Sequence, residues 1–300
     1  MITTDDNKLV LGTAQLGMKY GIANKTGKPD LATARDIVSA AWEGGIRYFD
    51  TAQAYGESEC VLGEVLSDLG IGNEAHIITK PSPDIDHRNK KKLEDALSQS
   101  LENLKCDHVY GLTLHRENLL DLFEKGLADT LETFLGKGLV ENIGVSLYTP
   151  IMAKTALEIS IISMIQVPAN ICDHRFYEAD IFNLAKKKSA TMFIRSVFLQ
   201  GLLLMDIRKI PKVMQFATPV IDKVEQLSLE FNLTRQELAL SYVRQKYPLA
   251  FVIVGAETKQ QLVSNLAAWK SDKLSSLTTR IDDIFAEIDE RIINPTLWPH

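Results

Sequence analysis

The feature that most constrains the fold is an alternation sustained along the chain. Short β-branched or apolar runs recur, each followed by a segment with helical periodicity. Eight such runs stand at Leu9–Ala14, Arg47–Thr51, Ala75–Lys80, His108–Leu114, Asn142–Ser146, Met164–Pro168, Thr191–Val197 and Phe251–Gly255. Strands covered on both faces read as continuously apolar, as Phe251-Val252-Ile253-Val254 does. Eight βα units in 300 residues predict an α/β fold, a single (β/α)8 TIM barrel with an extra C-terminal helix and tail. No Pro/Gly/Ser-rich linker or repeat divides the chain, so residues 1–300 are expected to form one domain.

The intervening segments carry helix start and stop signals. Asp30–Glu43 ends in Gly44-Gly45 and Asp121–Leu135 ends in Gly136, glycines suited to the turn back into a strand. Asn89–Leu104 places Leu93, Leu97, Leu101 and Leu104 on one stripe, the pattern of a helix seated on a barrel exterior. Two regions exceed a minimal barrel, Met205–Pro219 and the tail Arg291–His300, and both are expected to flank the mouth where such loops carry function.

Composition excludes several classes. Hydrophobic residues make up 45% and charged residues 24%, the proportions of a globular protein. No apolar run reaches the roughly 20 residues that span a bilayer. The opening Met1–Lys8 is polar and acidic, unlike a secretory signal, so cytoplasmic residence is expected. A net charge of -6 argues against nucleic acid as a partner. Cys60, Cys106 and Cys172 are too few and scattered for a disulfide framework and are read as buried thiols. Cys172-Asp173-His174 has no second ligand cluster, so no metal is expected.

In a βα barrel the reacting groups come from the carboxyl ends of different strands. Here the second strand ends in Asp50 with Tyr55 five residues on, the third in Lys80, and the fourth is followed by His115. Barrel geometry turns all four toward one mouth, where they make a proton donor. A free phenol has a pKa near 10, and bringing it toward neutrality takes roughly 3 units, about 4 kcal/mol of preferential phenolate stabilisation. A neighbouring ammonium is the natural source, with an aspartate behind it to orient the lysine. Taken singly, Asp50 reads as a helix cap, Lys80 as a surface cation and His115 as a loop residue; it is their joint position that points to chemistry.

The chain resembles the aldo-keto reductases, bacterial members included, over nearly its whole length. The resemblance is carried by Leu11-Gly12-Thr13 with Gly17, by Gly44-Gly45-Ile46-Arg47-Tyr48-Phe49-Asp50-Thr51-Ala52 with Tyr55-Gly56, and by Gly63. Lys80, Leu114-His115, Gly144-Val145-Ser146, Gln166 with Asn170, and Ser196 with Gln200-Gly201-Leu202-Leu203 follow in the family's order. It implies reduction of an aldehyde or ketone by direct hydride transfer from NAD(P)H, with Asp50, Tyr55, Lys80 and His115 as the catalytic group and Tyr55 as proton donor.

The same resemblance implies a cofactor site without a Rossmann fingerprint. It places Ser146 and Gln166 at the nicotinamide carboxamide, Ser196, Gln200, Gly201 and Leu202 at the pyrophosphate, and Gly255, Glu257, Lys259, Gln261 and Asn265 at the adenosine. The sequence departs from the family at three places. Leu147 stands where asparagine often follows the serine. Arg195 stands where many relatives stack a tyrosine on the nicotinamide; its guanidinium either stacks likewise or turns to the phosphates or an acidic loop. Glu257 stands where a cation often meets the 2′-phosphate, and a carboxylate suits a free 2′-hydroxyl. NADPH is expected on the family pattern, with NADH also accepted.

Loops after the strands offer Met18, Tyr20, Gln53, Tyr148, His174, Arg175, Phe176 and Trp298 as substrate-binding residues, a polar set suited to a sugar or another hydroxylated or anionic carbonyl compound. Trp298 covers the mouth, packs on the barrel or meets another subunit. A second class is a regulatory or redox-sensing barrel that binds cofactor with little turnover, as relatives associated with ion channels do. A metal-dependent barrel hydrolase is a third, and the histidines are not arranged for it.

Overall fold

The computed structural model describes residues 7–271 and 278–298. Eight parallel strands close into a barrel in chain order: β1 (Leu9–Gly12), β2 (Tyr48–Asp50), β3 (His76–Thr79), β4 (Val109–Leu114), β5 (Val140–Ser146), β6 (Ile162–Pro168), β7 (Thr191–Arg195) and β8 (Phe251–Gly255). The ring is sealed by β1 against β8, with Gly12 opposite Gly255, while Gly12 also faces Asp50 across β2. Several strands stop short of the expected ends, so that Thr13, Thr51 and Lys80 lie just beyond β1, β2 and β3.

The barrel interior is filled. Val10, Ile78, Met164 and Phe193 form a buried layer, and the Met164 side chain occupies the space that side chains at Gly111 and Gly144 would need. Towards the strand starts, Tyr48, His76, Tyr110 and Phe251 meet ring to ring, Tyr48 and Phe251 with centroids 4.5 Å apart. A packed interior leaves only the carboxyl mouth for a ligand.

Outside the barrel, Leu93, Leu97 and Leu104 of the helix Lys90–Leu104 are buried as the stripe predicts, and Asn89 caps that helix by accepting from Lys92 N. The helix expected over Asp121–Leu135 is instead two pieces, a 3-10 segment Glu117–Lys125 and a helix Leu127–Gly136, broken at Gly126 with φ +97°. Cys60 is exposed and Cys106 half-buried, contrary to the expectation of three buried thiols; Cys172 is buried, and all three are free. Among the described residues no helix is long and apolar enough to cross a membrane.

The two extra regions pack beside the mouth rather than over it. Leu204 lines the cavity, but the chain from Met205 leads away through the 3-10 segments Ile207–Lys209 and Lys212–Ala217, held by Arg235 Nη1 donating to Met205 O at 2.7 Å. The tail lies against that segment, with the Arg291 guanidinium 5.2 Å from the Phe216 ring centroid. Positions 299 and 300 lie outside the described residues.

Candidate active site

Hydroxyl and carbonyl groups lock the ends of β1 and β2 together. Thr51 Oγ1 donates to Ser58 Oγ at 3.0 Å, Ser58 Oγ to Thr13 O at 2.8 Å, and Thr13 Oγ1 to Asp50 O at 3.0 Å. The turn carrying Tyr55 rests on this network, its carbonyl accepting from Ser58 N at 3.2 Å. Gly56 takes a left-handed φ of +60° there, a conformation glycine adopts without a Cβ penalty. Gly17 passes so close that a Cβ on it would stand 1.9 Å from Tyr55 O. Gly17→Ala is therefore expected to displace the Tyr55 turn and lower stability by about 1–3 kcal/mol, measured by denaturant unfolding, with reduced turnover; a variant as stable and active as the native chain would show that the close approach is not required.

Behind the turn lies a buried ion pair. Lys80 Nζ, with a fully enclosed side chain, donates to Asp50 Oδ1 at 2.7 Å and to Thr51 O at 2.9 Å. Gln166 Nε2 donates to the same Asp50 oxygen at 2.9 Å. The end of β3 is fixed by Thr79 Oγ1 donating to the buried Glu59 at 2.6 Å. Lys80 Nζ lies 5.2 Å from the Tyr55 ring centroid, and the His115 ring meets Tyr55 edge-on with centroids 5.7 Å apart. The four groups expected at successive strand ends are thus drawn together.

Their electrostatics differ from the sequence expectation. Desolvation, then the Asp50 carboxylate, pushes the Tyr55 phenol well above its usual range, and among the charges acting on it Arg195 pulls downward. Burial, reinforced by the charges of Lys80, Arg195 and Arg116, pulls His115 down to about 3, so its imidazole is neutral at physiological pH, and its Nδ1 is buried without a partner among the described residues.

Of these four groups, Asp50 and Tyr55 line a cavity of about 560 Å³, while Lys80 and His115 stand outside its lining, against Asp50 and Tyr55. Of the expected residues, Asp50, Tyr55, Gln166, Arg195, Ser196, Gln200, Gly201, Gly255, Glu257, Gln261, Asn265 and Tyr20 line it. Ser146 is buried and pairs in register with Gln166 on the adjacent strand. The stretch from Ser196 to Gly201 holds a run of left-handed backbone, with φ of +63° at Ser196, +54° at Gln200 and +91° at Gly201, which bends the chain around the cavity wall. The loop after β1 closes against it, Ala23 filling the space a side chain at Gly201 would take, and Thr26 Oγ1 donates to Glu257 at 3.3 Å.

Other expected residues stand elsewhere. Leu202 is wholly buried in the core, and Lys259 is exposed at the start of the helix Lys259–Lys270 without lining the cavity. Gln53 is turned to the exterior helix, donating to Ala96 O and Ser100 Oγ and accepting from Ser82 N. His174 is buried against Ile171 O, Arg175 grips Asp173 with two 2.9 Å bonds and reaches Glu290, and Phe176 is core. Trp298 packs on the barrel, its Nε1 donating to Ile292 O at 3.3 Å. Met18 is partly exposed outside the lining, while Tyr148 flanks the cavity against Arg195 with its backbone N held by Glu117.

Sequence reasoning missed Gln15, Gln236, Gln260 and Ser264 on the cavity wall. Ser264 Oγ donates to Gln236 Oε1 at 2.7 Å, and Gln236 Nε2 to Asn265 Oδ1 at 2.6 Å. A signal for Gln236 existed in the capping box Thr234-Arg235-Gln236-Glu237, which fixes a helix start there.

Eight parallel strands closed into a barrel, with Asp50, Tyr55, Lys80 and His115 drawn together at the carboxyl mouth beside a cavity, define the class of (β/α)8 barrels. The sequence model of the Aldo/keto reductase family matches residues 8–285, and the chain belongs to that family. It is 25% identical over 205 residues to the aldo-keto reductase YhdN of Bacillus subtilis (strain 168), covering 66% of this chain and 60% of that protein. It is 32% identical over 144 residues to the methylglyoxal reductase DkgB of Salmonella typhi, covering 45% of this chain and 50% of that protein. The chain thus matches between half and two-thirds of the length of these curated relatives. Among solved structures it shares the fold of the aldo-keto reductase AKR11C1 from Bacillus halodurans (holo form), with a TM-score of 0.77 at 22% identity over 96% of this chain and 95% of that one.

Proposed function

We propose that this protein reduces the carbonyl group of an aldehyde or ketone to an alcohol, using a nicotinamide dinucleotide, with Tyr55 as the proton donor. The observation that carries the reading is Tyr55 on the wall of a large cavity, flanked by His115 and backed by the Asp50–Lys80 pair. The cavity's chemistry fits the cofactor. Gln166 and Ser146 suit a carboxamide, the left-handed backbone from Ser196 to Gly201 suits close approach of a pyrophosphate, and Glu257, Gln261 and Asn265 suit an adenosine.

When bound, the reduced nicotinamide supplies a hydride to the carbonyl carbon. Tyr55 delivers its proton to the carbonyl oxygen and is reprotonated from solvent, so the product is a neutral alcohol. His115, held neutral, orients the oxygen through a hydrogen bond without competing as an acid. Asp50 and Lys80 fix one another and the floor beneath Tyr55.

The wall bears Glu257, and Lys259 lies outside it. A carboxylate accepts from a free 2′-hydroxyl and repels a 2′-phosphate, so this wall favours NADH over the NADPH expected from the family pattern. Oxidation of each cofactor in the presence of a broad carbonyl panel, followed by nicotinamide absorbance, tests both points. Turnover with NADH preferred is expected; NADPH preferred would remove the Glu257 argument, and cofactor binding with no turnover on any carbonyl would remove the enzyme reading.

A further inference from the structure

Arg195 closes β7, and its guanidinium lies on the cavity wall 4.3 Å from the Tyr148 ring centroid. Nη1 donates to Ser196 Oγ at 3.3 Å and Nη2 to Leu147 O at 3.1 Å, both neutral acceptors, while Nε is buried and meets no acceptor among the described residues. A guanidinium carries five N–H donors in a planar fork, so most of this one's capacity is unanswered.

Four other buried or half-buried cations are each met by a carboxylate: Lys80 by Asp50, Lys246 by Asp282, Arg175 by Asp173 and Arg235 by Glu225. Among the described residues no carboxylate pairs with Arg195. Asp50 is engaged by Lys80 and Gln166, and Glu257, the other carboxylate on the wall, takes the Thr26 hydroxyl. The positive charge of Arg195 opposes proton binding at Tyr20, Tyr55 and His115 alike, which places it at the reacting end of the cavity. Tyr20, its phenol pushed up to about 12 chiefly by burial, stays protonated beside it as a further donor.

A guanidinium half-buried in a cavity wall with no counter-ion leaves donors free for a ligand, and a planar carboxylate is the group that matches its fork. We infer that Arg195, with the Tyr20 hydroxyl, is an anion anchor and that the substrate is a carbonyl compound bearing a carboxylate, either a 2-oxo acid or an aldehyde acid. The inference rests on the reductase reading for its carbonyl and on Arg195, with Tyr20 beside it, for its anion. It transfers to Arg195 the anionic preference that the sequence assigns to His174 and Arg175, both of which are engaged elsewhere.

The test compares matched pairs in the native chain, Arg195→Met and Arg195→Lys: succinic semialdehyde against butanal, glyoxylate against glycolaldehyde, and 4-carboxybenzaldehyde against benzaldehyde. In parallel, calorimetry measures binding of oxamate, oxamide and NADH to each protein, the first two with NADH present. The native chain is expected to prefer at least one anionic partner by about 10- to 100-fold in kcat/KM, the scale of a charge-assisted hydrogen bond. That preference collapses through KM in Arg195→Met and is partly restored in Arg195→Lys, and oxamate affinity follows the same order.

A native enzyme that prefers every neutral partner overturns the inference, as does a preference that survives Arg195→Met. So does a variant that loses NADH affinity by about 10-fold or more while oxamate binding is unchanged, since the anion would then be a cofactor phosphate. Should no pair turn over while oxamate binding still depends on Arg195, the anion anchor stands and the reductase reading falls.

Discussion

Replacing Tyr55 with phenylalanine is expected to lower kcat for carbonyl reduction by about 10²- to 10⁴-fold, the usual contribution of a positioned proton donor, while NADH affinity changes little. The variant removes one oxygen from the cavity wall and leaves the turn intact, because the contacts that hold Tyr55 are made by its backbone to Ser58 and Ala52. Calorimetric cofactor titration beside single-turnover kinetics separates the two effects; a loss smaller than about 10-fold would assign the proton to another group. The native pH profile carries related information. With the phenol pushed above its usual value near 10 and His115 down to about 3, neither group changes protonation in between, so reduction is expected to stay level from about pH 5 to about pH 9. A fall with a midpoint near neutrality would mean that Lys80 and bound cofactor outweigh desolvation at the phenol.

The barrel was legible because parallel strands buried on both faces leave unbroken apolar runs. β8 is read to the residue from Phe251-Val252-Ile253-Val254. β5 begins at Val140, ahead of the expected Asn142, since Gly138 at φ +69° has already turned the chain out of the preceding helix. The gathering of Asp50, Tyr55, Lys80 and His115 followed from topology alone. What did not follow was which polar groups would be taken up by distant partners. His174 and Arg175 follow β6, yet Arg175 reaches Glu290 and His174 lies beside Asp282, residues of the C-terminal extension more than a hundred positions away. Gln53 was claimed by the helix Lys90–Leu104 in the same manner. Such pairings depend on how exterior elements dock, which local periodicity does not encode. The raised phenol has a similar origin: the sequence places an ammonium near Tyr55, but not the depth of burial and the nearby Asp50 carboxylate that push the phenol up.

Lys80→Met is the substitution expected to harm the fold most. Removing the ammonium leaves the buried Asp50 carboxylate with Gln166 Nε2 as its side-chain donor and Thr51 O without Nζ, and breaking one side of a buried pair typically lowers stability by about 3–5 kcal/mol. Much of that effect is the isolated charge rather than the lost contact. Adding Asp50→Asn removes the charge, and the double variant is therefore expected to be more stable than Lys80→Met alone in denaturant unfolding. Carbonyl reduction should not return with it, because a neutral asparagine opposite a methionine restores neither the ammonium nor the carboxylate that hold the ground beneath Tyr55. A double variant as unstable as Lys80→Met would locate the cost in Thr51 O and the packing of the lysine stem. One that regained turnover would show that the pair supports the fold around Tyr55 and that proton delivery does not require its charges.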